Sequence, residues 1–356
     1  MTDPTMMEWV NQYRAVRGTY DSFAHRLSGL LSDLLRDEGV DIAQIEARAK
    51  DVDSFRGKVT RPGKNYIDPL NEVTDLAAVR LIAYYAEDVG KIGEIIRSEF
   101  EVDDANTVDK SETLDPDRFG YTSVHYIIWL GEGRASLREW RQFATLRAEV
   151  QVRTVLQHAW AAVNHKLDYK SATEAPREVR RQLFRLSALF ELADEQFSRI
   201  RDASARIADK YESDLRGGNF DLPLNAVSLA AYFEAHPELD AFAQELKESG
   251  ISVRGIQDID DAEKADVRRR MLTYLESVNV KSISELHAYV NGAVRELFRR
   301  VNPDTWTPPN DVPLEEAITR GLILVIGVKR SVFDELYDPN SWENYEDATR
   351  KYGIRR

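Results

Sequence analysis

The sequence predicts an α+β fold, in which a mixed β-sheet flanked by helices is followed by a mainly α-helical C-terminal domain. Short apolar runs between residues 75 and 153 are too short for surface helices and are typical of buried strands. Apolar residues at helical spacing separate these runs, so strands and helices alternate. Gly217 and Gly218 interrupt both kinds of element and favour a linker. We therefore expect a first domain over residues 1–216 and a second over residues 217–356.

The first half begins with an amphipathic helical lead-in, predicted over residues 7–36. A buried strand follows Asp75, and a helix is predicted over residues 88–100. Residues 123–130 and 145–153 are two further strands, the second of which alternates strictly between apolar and polar residues.

Two helices complete the first domain. Thr154 is well placed to cap a helix that runs to about residue 170. A longer helix is predicted over residues 177–208. Its apolar stripe includes Leu183, Leu186, Leu189, Phe190, Leu192 and Phe197.

Composition excludes several classes of protein. The chain has no cysteine, which removes disulfide scaffolds, thiol nucleophiles and cysteine-based zinc sites. A net charge of -13 argues against a protein that coats nucleic acid with its whole surface. The longest apolar stretch, residues 322–326, is far shorter than a membrane helix, and the N-terminus is polar. We therefore expect a cytoplasmic protein that does not enter the membrane.

A basic cluster precedes the first buried strand. Lys50, Ser54 and Lys58 step by four residues, so on a helix they would share one face, and Arg48 lies just before them. Arg and Lys on such a face could grip a triphosphate. A solvated basic face would show the same spacing.

Carboxylates and amides lie on or beside the predicted strands. Asp75, at the entrance to its strand, could bind Mg²⁺ together with phosphate oxygens, although Asp also occurs in caps and turns. Glu149, Gln151 and Arg153 alternate on one face of their strand and project together from a rigid element. A solvent-facing strand would look the same.

A glycine turn delivers Tyr121 just before the strand that contains His125. The tyrosine could stack on a nucleobase or simply pack the turn. His158 and His165 are two helical turns apart, about 10 Å along the axis, so one metal ion would not reach both. We expect them to belong to a polar stripe that faces the sheet or the mouth of the site. The sequence contains no G-x-x-x-x-G-K-[ST] loop, which excludes an ordinary P-loop mechanism.

Four segments in order resemble the nucleotidyltransferase-like synthetase domain of the RelA/SpoT family. They are RAKDVDSFRGK, TDLAAVRLI, GYTSVH and EVQVRTVLQHAWAAVNHKLDYK, within a match that spans roughly residues 10–201. The resemblance implies a Mg²⁺-dependent pyrophosphokinase of the GTP pyrophosphokinase class. Such an enzyme moves the β,γ-pyrophosphate of ATP to the 3′-hydroxyl of an acceptor nucleotide and releases AMP.

The resemblance also implies roles for the residues of these segments. Asp75 and Glu149 would serve magnesium and catalysis, with Glu149 as the base. ATP would be held by Arg48, Lys50, Ser54 and Lys58. The acceptor would be bound by Tyr121, which stacks on its base, and by Lys110, His125, Gln151 and Arg153.

The sequence departs from the family pattern at two positions. Ala78 stands where the family usually has Gly, and Thr122 replaces a more usual Gln in the acceptor turn, which leaves the acceptor's identity open. No His-Asp dipeptide occurs, so the metal-dependent hydrolase domain of the long family members is missing. The chain resembles a short, synthesis-only member.

Three hypotheses about function remain. The first is an alarmone synthetase that makes ppGpp or pppGpp from GDP or GTP. The second is a toxin-like or anti-phage member that pyrophosphorylates the 3′ end of tRNA, for which basic residues at 264–270 and 350–356 could contact phosphates. The third, a catalytically dead binding module, is opposed by the intact site residues. Residues 217–356 would bind a protein partner or regulate the enzyme, and homo-oligomerisation stays open.

Overall fold

The computed structural model describes residues 4–109, 123–166, 176–301 and 311–352. The chain separates into two compact units, Met1–Ile200 and Arg201–Arg356. The boundary between them falls inside a long helix that ends at Arg216. The functional division after residue 216 stays a prediction. None of the helices in the described ranges is long and apolar enough to cross a lipid bilayer.

The first unit contains a six-stranded mixed sheet, which confirms the predicted architecture. Its strands are β1 (Ile42–Ala49), β2 (Ala77–Ala83), β3 (Glu101–Val102), β4 (Val108–Asp109), β5 (Val124–Trp129) and β6 (Ala148–Thr154). The order is β1-β2-β6-β5-β3, and β4 also pairs with β5. Strands β2 and β6 are parallel, whereas the other pairs are antiparallel.

Helices surround this sheet. They are α1 (Pro4–Asp37), α2 (Val52–Val59), α3 (Pro69–Glu72), α4 (Ala86–Glu99), α5 (Glu132–Ala135), α6 (Val155–Lys166) and α7 (Arg177–Arg216). The helical lead-in is confirmed as α1, which packs the buried side chains of Tyr13, Phe23, Leu27 and Leu31 into the core beneath the sheet.

Thr154 caps α6 as the sequence predicted. The backbone N–H of Gln157 donates to Thr154 Oγ1 (3.1 Å), and the N–H of Thr154 donates to Gln157 Oε1 (2.8 Å). These reciprocal bonds satisfy donors that the first turn of a helix otherwise leaves free. The helix is thereby fixed directly to the end of β6, whereas its predicted end near residue 170 lies outside the described residues.

The long helix is confirmed as α7, but its apolar stripe is mostly not the face that the structure buries. Of the stripe only Leu183 is buried, whereas Leu189 is 58% exposed. In the part of α7 that belongs to the first unit, the other buried side chains are Ser187, Asp194 and Ser198. Thr154 Oγ1 donates to Asp194 Oδ2 (2.7 Å), so a buried hydroxyl–carboxylate bond selects the polar face. Amphipathic spacing identifies two faces of a helix but not the tertiary partner of either.

The second unit is mainly helical, as predicted. After the last residues of α7 it contains α8 (Ala226–Ala235), α9 (Pro237–Glu248), α10 (Asp261–Ser277), α11 (Ile283–Tyr289), α12 (Arg295–Arg300), α13 (Leu314–Ile326), α14 (Arg330–Leu336) and α15 (Trp342–Tyr352), with a parallel pair β7 (Val253–Arg254) and β8 (Val312–Pro313). A π-helical turn, Val290–Val294, joins α11 to α12. The unit has one hydrophobic core, whose buried residues include Leu229, Tyr232, Phe233, Leu239, Phe242, Leu246, Met271, Leu275, Leu286, Val290 and Phe298.

Candidate functional site

Strand register gathers polar side chains on one face of the sheet. Gln151 on β6 lies between Arg80 on β2 and His125 on β5. Residues paired directly across neighbouring strands project to the same face, and so do residues two apart on one strand. Glu149 therefore shares the face of Gln151, as the alternation in its strand predicted.

Both carboxylate oxygens of Glu149 are held by neighbouring side chains. His125 Nδ1 donates to Glu149 Oε1 (2.9 Å), and Gln151 Nε2 donates to Oε2 (2.7 Å). The hydroxyl of Ser123 lies 2.7 Å from the other ring nitrogen of His125. Since the Glu149 side chain is only 16% exposed, these bonds fix its direction at the surface of a rigid strand.

The network continues to Arg80 and Glu46, which the sequence analysis did not select. Arg80 Nε donates to Gln151 Oε1 (3.3 Å), and the Arg80 guanidinium forms an ion pair with Glu46 on β1. A signal for Arg80 was available, because it is the one charged residue in the strand AAVRLIA. Only the pairing of β2 with β6 shows which polar residues it meets.

Asp75 lies in the turn before β2 and binds two lysines. Lys50 Nζ is 2.6 Å from Asp75 Oδ2, and Lys58 Nζ is 3.0 Å from Oδ1. The N–H of Lys50 also donates to the carbonyl of Leu76 (3.0 Å), which continues the β1–β2 pairing and places Lys50 beside the turn. The structure thus brings together residues from the predicted basic cluster and the predicted carboxylate.

The shared helical face predicted for Lys50, Ser54 and Lys58 is wrong. The helix begins at Val52, so Lys50 precedes it and reaches Asp75 from the end of β1. Ser54 is exposed on α2, and Arg48 is exposed on β1. The step of four residues was therefore a coincidence for Lys50, whose side chain converges with that of Lys58 for a different structural reason.

The two carboxylates belong to one electrostatic neighbourhood. Burial alone would raise the pKa of Asp75, but the hydrogen bond from Lys50 and the charges of Lys50 and Lys58 lower it below the usual value. Burial would likewise raise the pKa of Glu149, and the hydrogen bond and attraction of His125, with the bond from Gln151, outweigh it. The charge of Asp75 opposes this lowering. Both are ionised at neutral pH.

Arg153 and His158 each have a buried nitrogen that finds no hydrogen-bond partner among the described residues. In Arg153, which continues the polar face of β6 and is buried, this atom is Nε. Burial and the nearby charge of Arg80 lower the pKa of Arg153 to about 10. Burial and the charge of Arg153 also lower the pKa of His158 on α6. The side chain of His165 is outside the described part of the chain.

Lys110 and Tyr121 also lie outside the described residues. The segment that contains them joins β4 to β5, and its two ends are held by the pairing of Asp109 with Val124. Its attachment points are therefore next to His125, one strand away from Glu149.

The donor set is of the type that Mg²⁺ prefers. Asp75 and Glu149 offer carboxylate oxygens, the hard ligands of magnesium sites. Each of their four oxygens already accepts a hydrogen bond. Phosphate oxygens compete for ammonium groups, so a nucleotide that attracts Lys50 and Lys58 would release Asp75 for a metal ion.

The basic stripe at residues 264–270 is neutralised by acidic partners. Arg268 pairs with Glu234 (2.8 Å) and Glu315 (2.9 Å), and Arg270 contacts Glu316 (3.3 Å). Lys264 and Arg269 are paired with aspartates on the same helix, and Arg350 is paired with Asp347. Residues 353–356 lie outside the described ranges. Within those ranges, the stripe offers little free charge to an RNA backbone.

The chain was compared with known families and proteins, and part of it matches. A region found in RelA/SpoT proteins matches residues 47–174. The GTP pyrophosphokinase YwaC of Bacillus subtilis is 23% identical over 199 residues, which are 55% of this chain and 91% of that protein. The GTP pyrophosphokinase YjbM of the same organism is 27% identical over 169 residues, 46% of this chain and 74% of the relative.

Solved structures also match about half of the chain. Small alarmone synthetase 1 from B. subtilis aligns with a TM-score of 0.46 at 23% identity, over 55% of this chain and 99% of its own. Small alarmone synthetase 2 from the same organism aligns with a TM-score of 0.44 at 22% identity, over 54% of this chain and 98% of its own.

Proposed function

We propose that this chain belongs to the RelA/SpoT family, since a region found in RelA/SpoT proteins matches residues 47–174, and that it is an ATP-dependent pyrophosphokinase acting on GDP or GTP. It transfers the β,γ-pyrophosphate of ATP to the 3′-hydroxyl and makes ppGpp or pppGpp. Both similar B. subtilis proteins bear the name GTP pyrophosphokinase. The observation that carries the proposal is the ion pairing of Asp75 with two lysines just before β2, the strand that pairs with β6 and so lies beside Glu149.

ATP binds on the lysine side of this site. In the structure Lys50 and Lys58 neutralise Asp75. The phosphates of ATP attract these ammonium groups, and Arg48 and Ser54 add a guanidinium and a hydroxyl from the neighbouring β1 and α2. Asp75 is then free to hold magnesium.

Glu149 orients and deprotonates the acceptor. Its lowered pKa makes it a carboxylate at neutral pH, and it can accept a hydrogen bond from the 3′-hydroxyl. As the bond from the 3′-oxygen to the β-phosphorus forms, the bond to the α-phosphate oxygen breaks and AMP leaves with those electrons. The hydroxyl proton passes to Glu149. Such transfer depends on positioning and charge more than on covalent help from the protein.

Magnesium, held by Asp75 and Glu149, would supply charge neutralisation on the phosphates. Hydrogen bonds from His125 and Gln151 fix the orientation of the Glu149 side chain. The same two residues line the acceptor side together with Arg153. The buried Nε of Arg153 has no partner among the described residues, and we propose that it binds an anionic oxygen of the acceptor. In this proposal Tyr121 stacks on the base and Lys110 lines the acceptor side.

Residues 217–356 regulate the enzyme and supply no catalytic group. Every residue with a chemical role in this scheme precedes residue 171, and the second unit has a core of its own. Cutting the chain at Gly217 should change the rate or the response to a partner while Glu149 stays essential. A segment 1–216 that folds and binds ATP, yet transfers to no acceptor, would show that the second half completes the site.

The acceptor is identified by a parallel assay. The protein is incubated with γ-labelled ATP and Mg²⁺, and with GDP, GTP, no acceptor or deacylated tRNA. We expect label on GDP or GTP, because the cations of the 264–270 stripe are already paired with acids. Label on tRNA alone would replace the guanine nucleotide by the tRNA 3′ end as the acceptor.

A further inference from the structure

Three side chains with metal-ligand chemistry lie together in the second unit. They are His236, Glu238 and His287, and one ligand atom of each lies within 4.8 Å of the others. His236 Nε2 is 3.7 Å from Glu238 Oε2, and the two imidazole rings have their centroids 5.0 Å apart. The cluster is far along the chain from the sheet residues and plays no part in the proposed reaction.

The fold holds these residues on separate elements. His236 is the junction between α8 and α9, and Glu238 lies in the first turn of α9. His287 lies on α11, where the ring of Phe220 stacks on it at a centroid distance of 3.8 Å. The position of each imidazole is therefore set by packing before any ligand binds.

His236 carries a buried nitrogen without a partner. Its side chain is only 6% exposed, and Nε2 forms no hydrogen bond within the described structure. A buried polar atom of this kind is costly unless something binds it. The unpaired nitrogen is also the atom that lies nearest to the Glu238 carboxylate.

Arg295 lies beside the cluster. It donates to the backbone carbonyl of Glu238 (3.0 Å) and lies over the ring of Phe242.

We propose that His236, Glu238 and His287 bind one divalent transition-metal ion of the zinc type, with a fourth position open to water. Two imidazoles and one carboxylate form a common zinc ligand set, whereas Mg²⁺ and Ca²⁺ take oxygen ligands. Tetrahedral ligands at about 2.0–2.2 Å from zinc lie roughly 3.3 Å apart. The 3.7 Å separation of His236 and Glu238 therefore needs only a small shift.

Polar neighbours can orient the third ligand. The hydroxyl of Tyr232 lies 3.3 Å from His287 Nδ1, and the side-chain amide of Asn291 lies 3.1 Å from Nε2. When one ring nitrogen binds the metal, the other retains a partner, as is usual for metal-bound histidines. Asn291 belongs to the π-helical turn, a feature that often marks functional sites. The ion would tie the α8–α9 junction to α11.

Metal titration of the full chain tests the site. Tag-free protein is stripped with a chelator and dialysed, and Co²⁺ and Zn²⁺ are then titrated while absorption and heat are recorded. We expect one ion per chain, visible d–d absorption of bound Co²⁺, its displacement by Zn²⁺ and a rise in the Tm of the second unit. Absence of stoichiometric Co²⁺ and Zn²⁺ binding would overturn the proposal.

Variants locate the ion. His236→Gln and His287→Gln should abolish binding, and Glu238→Gln should weaken it at least about tenfold. His25→Gln, on the exposed surface of the first unit, is the matched control and should bind normally. If a histidine variant does not fold, Glu238→Gln decides, because its side chain is 58% exposed. Wild-type affinity in a folded Glu238→Gln would contradict the assignment.

Discussion

The two faces of the sheet in the first unit are made by the same strands and have opposite chemistry. On one face Val79, Leu81, Val150 and Val152 are buried at 0–1% exposure. On the other, hydrogen bonds and an ion pair link side chains across four strands. Alternation along each strand therefore separates the residues that stabilise the fold from those available for chemistry.

The difference matters because burying the polar face stabilises the fold less than burying the apolar face does. Burying charged groups costs free energy that their mutual attraction only partly offsets, whereas apolar burial is favourable by itself. Glu149 and Asp75 are largely buried and each binds two donors. A role in catalysis explains this arrangement better than a role in stabilising the fold. Substitutions on the two faces should therefore separate the contribution to catalysis from the contribution to stability.

The largest effect is expected for Glu149→Gln. The change removes the charge that we propose accepts the 3′-hydroxyl proton but keeps the size of the side chain, so transfer should fall by about 10²–10⁴-fold. ATP affinity and Tm should stay close to wild type. Asp75→Asn should abolish transfer as well, by loss of the metal. Rates of product formation and calorimetric ATP titrations provide the measurement.

Glu132→Gln is the matched control, because Glu132 is an exposed carboxylate away from the site. It should transfer at the wild-type rate. Transfer by Glu149→Gln within about tenfold of wild type would show that another group is the base.

The opposite result is expected for Leu81→Ala on the apolar face. Leu81 is fully buried, and its truncation should lower the free energy of unfolding by about 2–5 kcal/mol. The folded fraction should retain a near-normal kcat, since no polar side chain has changed. Urea unfolding and assays corrected for the folded fraction test this. A loss of kcat with unchanged stability would mean that the two faces are not separable.

Tyr121→Ala sharpens the comparison within the site. Stacking on a base is worth about 1–3 kcal/mol, so the KM for GDP or GTP should rise about 5- to 150-fold. The KM for ATP should change little, because the ring is assigned to the acceptor. Tyr121→Phe, which keeps the ring, should behave like wild type. Equal increases in both KM values would assign Tyr121 to packing.

The smallest effect concerns acid stability. The pKa of Asp75 is lowered in the folded chain, so its ion pairs contribute fully above the unfolded pKa of about 3.9 and are lost as pH falls through the folded value. The free energy of unfolding should therefore fall less steeply between about pH 5 and pH 2 in Asp75→Asn than in wild type. Urea unfolding across this range gives both slopes. Identical slopes would mean that Lys50 and Lys58 do not stabilise the ionised carboxylate.

Sequence patterns within a single helix or strand predicted the features of the structure that depend on that element alone. Strand alternation placed Glu149 and Gln151 on one face, and Thr154 capped its helix as predicted. The long helix α7 shows the limit, because the hydrogen bond of Asp194 to Thr154 decided which face is buried. Periodicity carries no information about such a partner, which lies 40 residues away.

The site itself required tertiary structure. Lys50 and Lys58 meet at Asp75 because β1 pairs with β2, and this convergence is not encoded by the spacing of the lysines. Arg80 likewise reaches Gln151 through strand pairing and not through a pattern in its own strand. His236 and His287 are likewise remote in sequence, and only the packing of α8, α9 and α11 brings them together.

The central claim is that the polar face transfers an intact pyrophosphate group. Its most direct test is the stoichiometry of one reaction, in which β,γ-labelled ATP and GDP are incubated with the enzyme and Mg²⁺ and the products are separated by chromatography. We predict equal amounts of AMP and of GDP carrying both labelled phosphates on its 3′-oxygen. Formation of ADP with a single transferred phosphate, or of AMP with free pyrophosphate and unlabelled GDP, would contradict it.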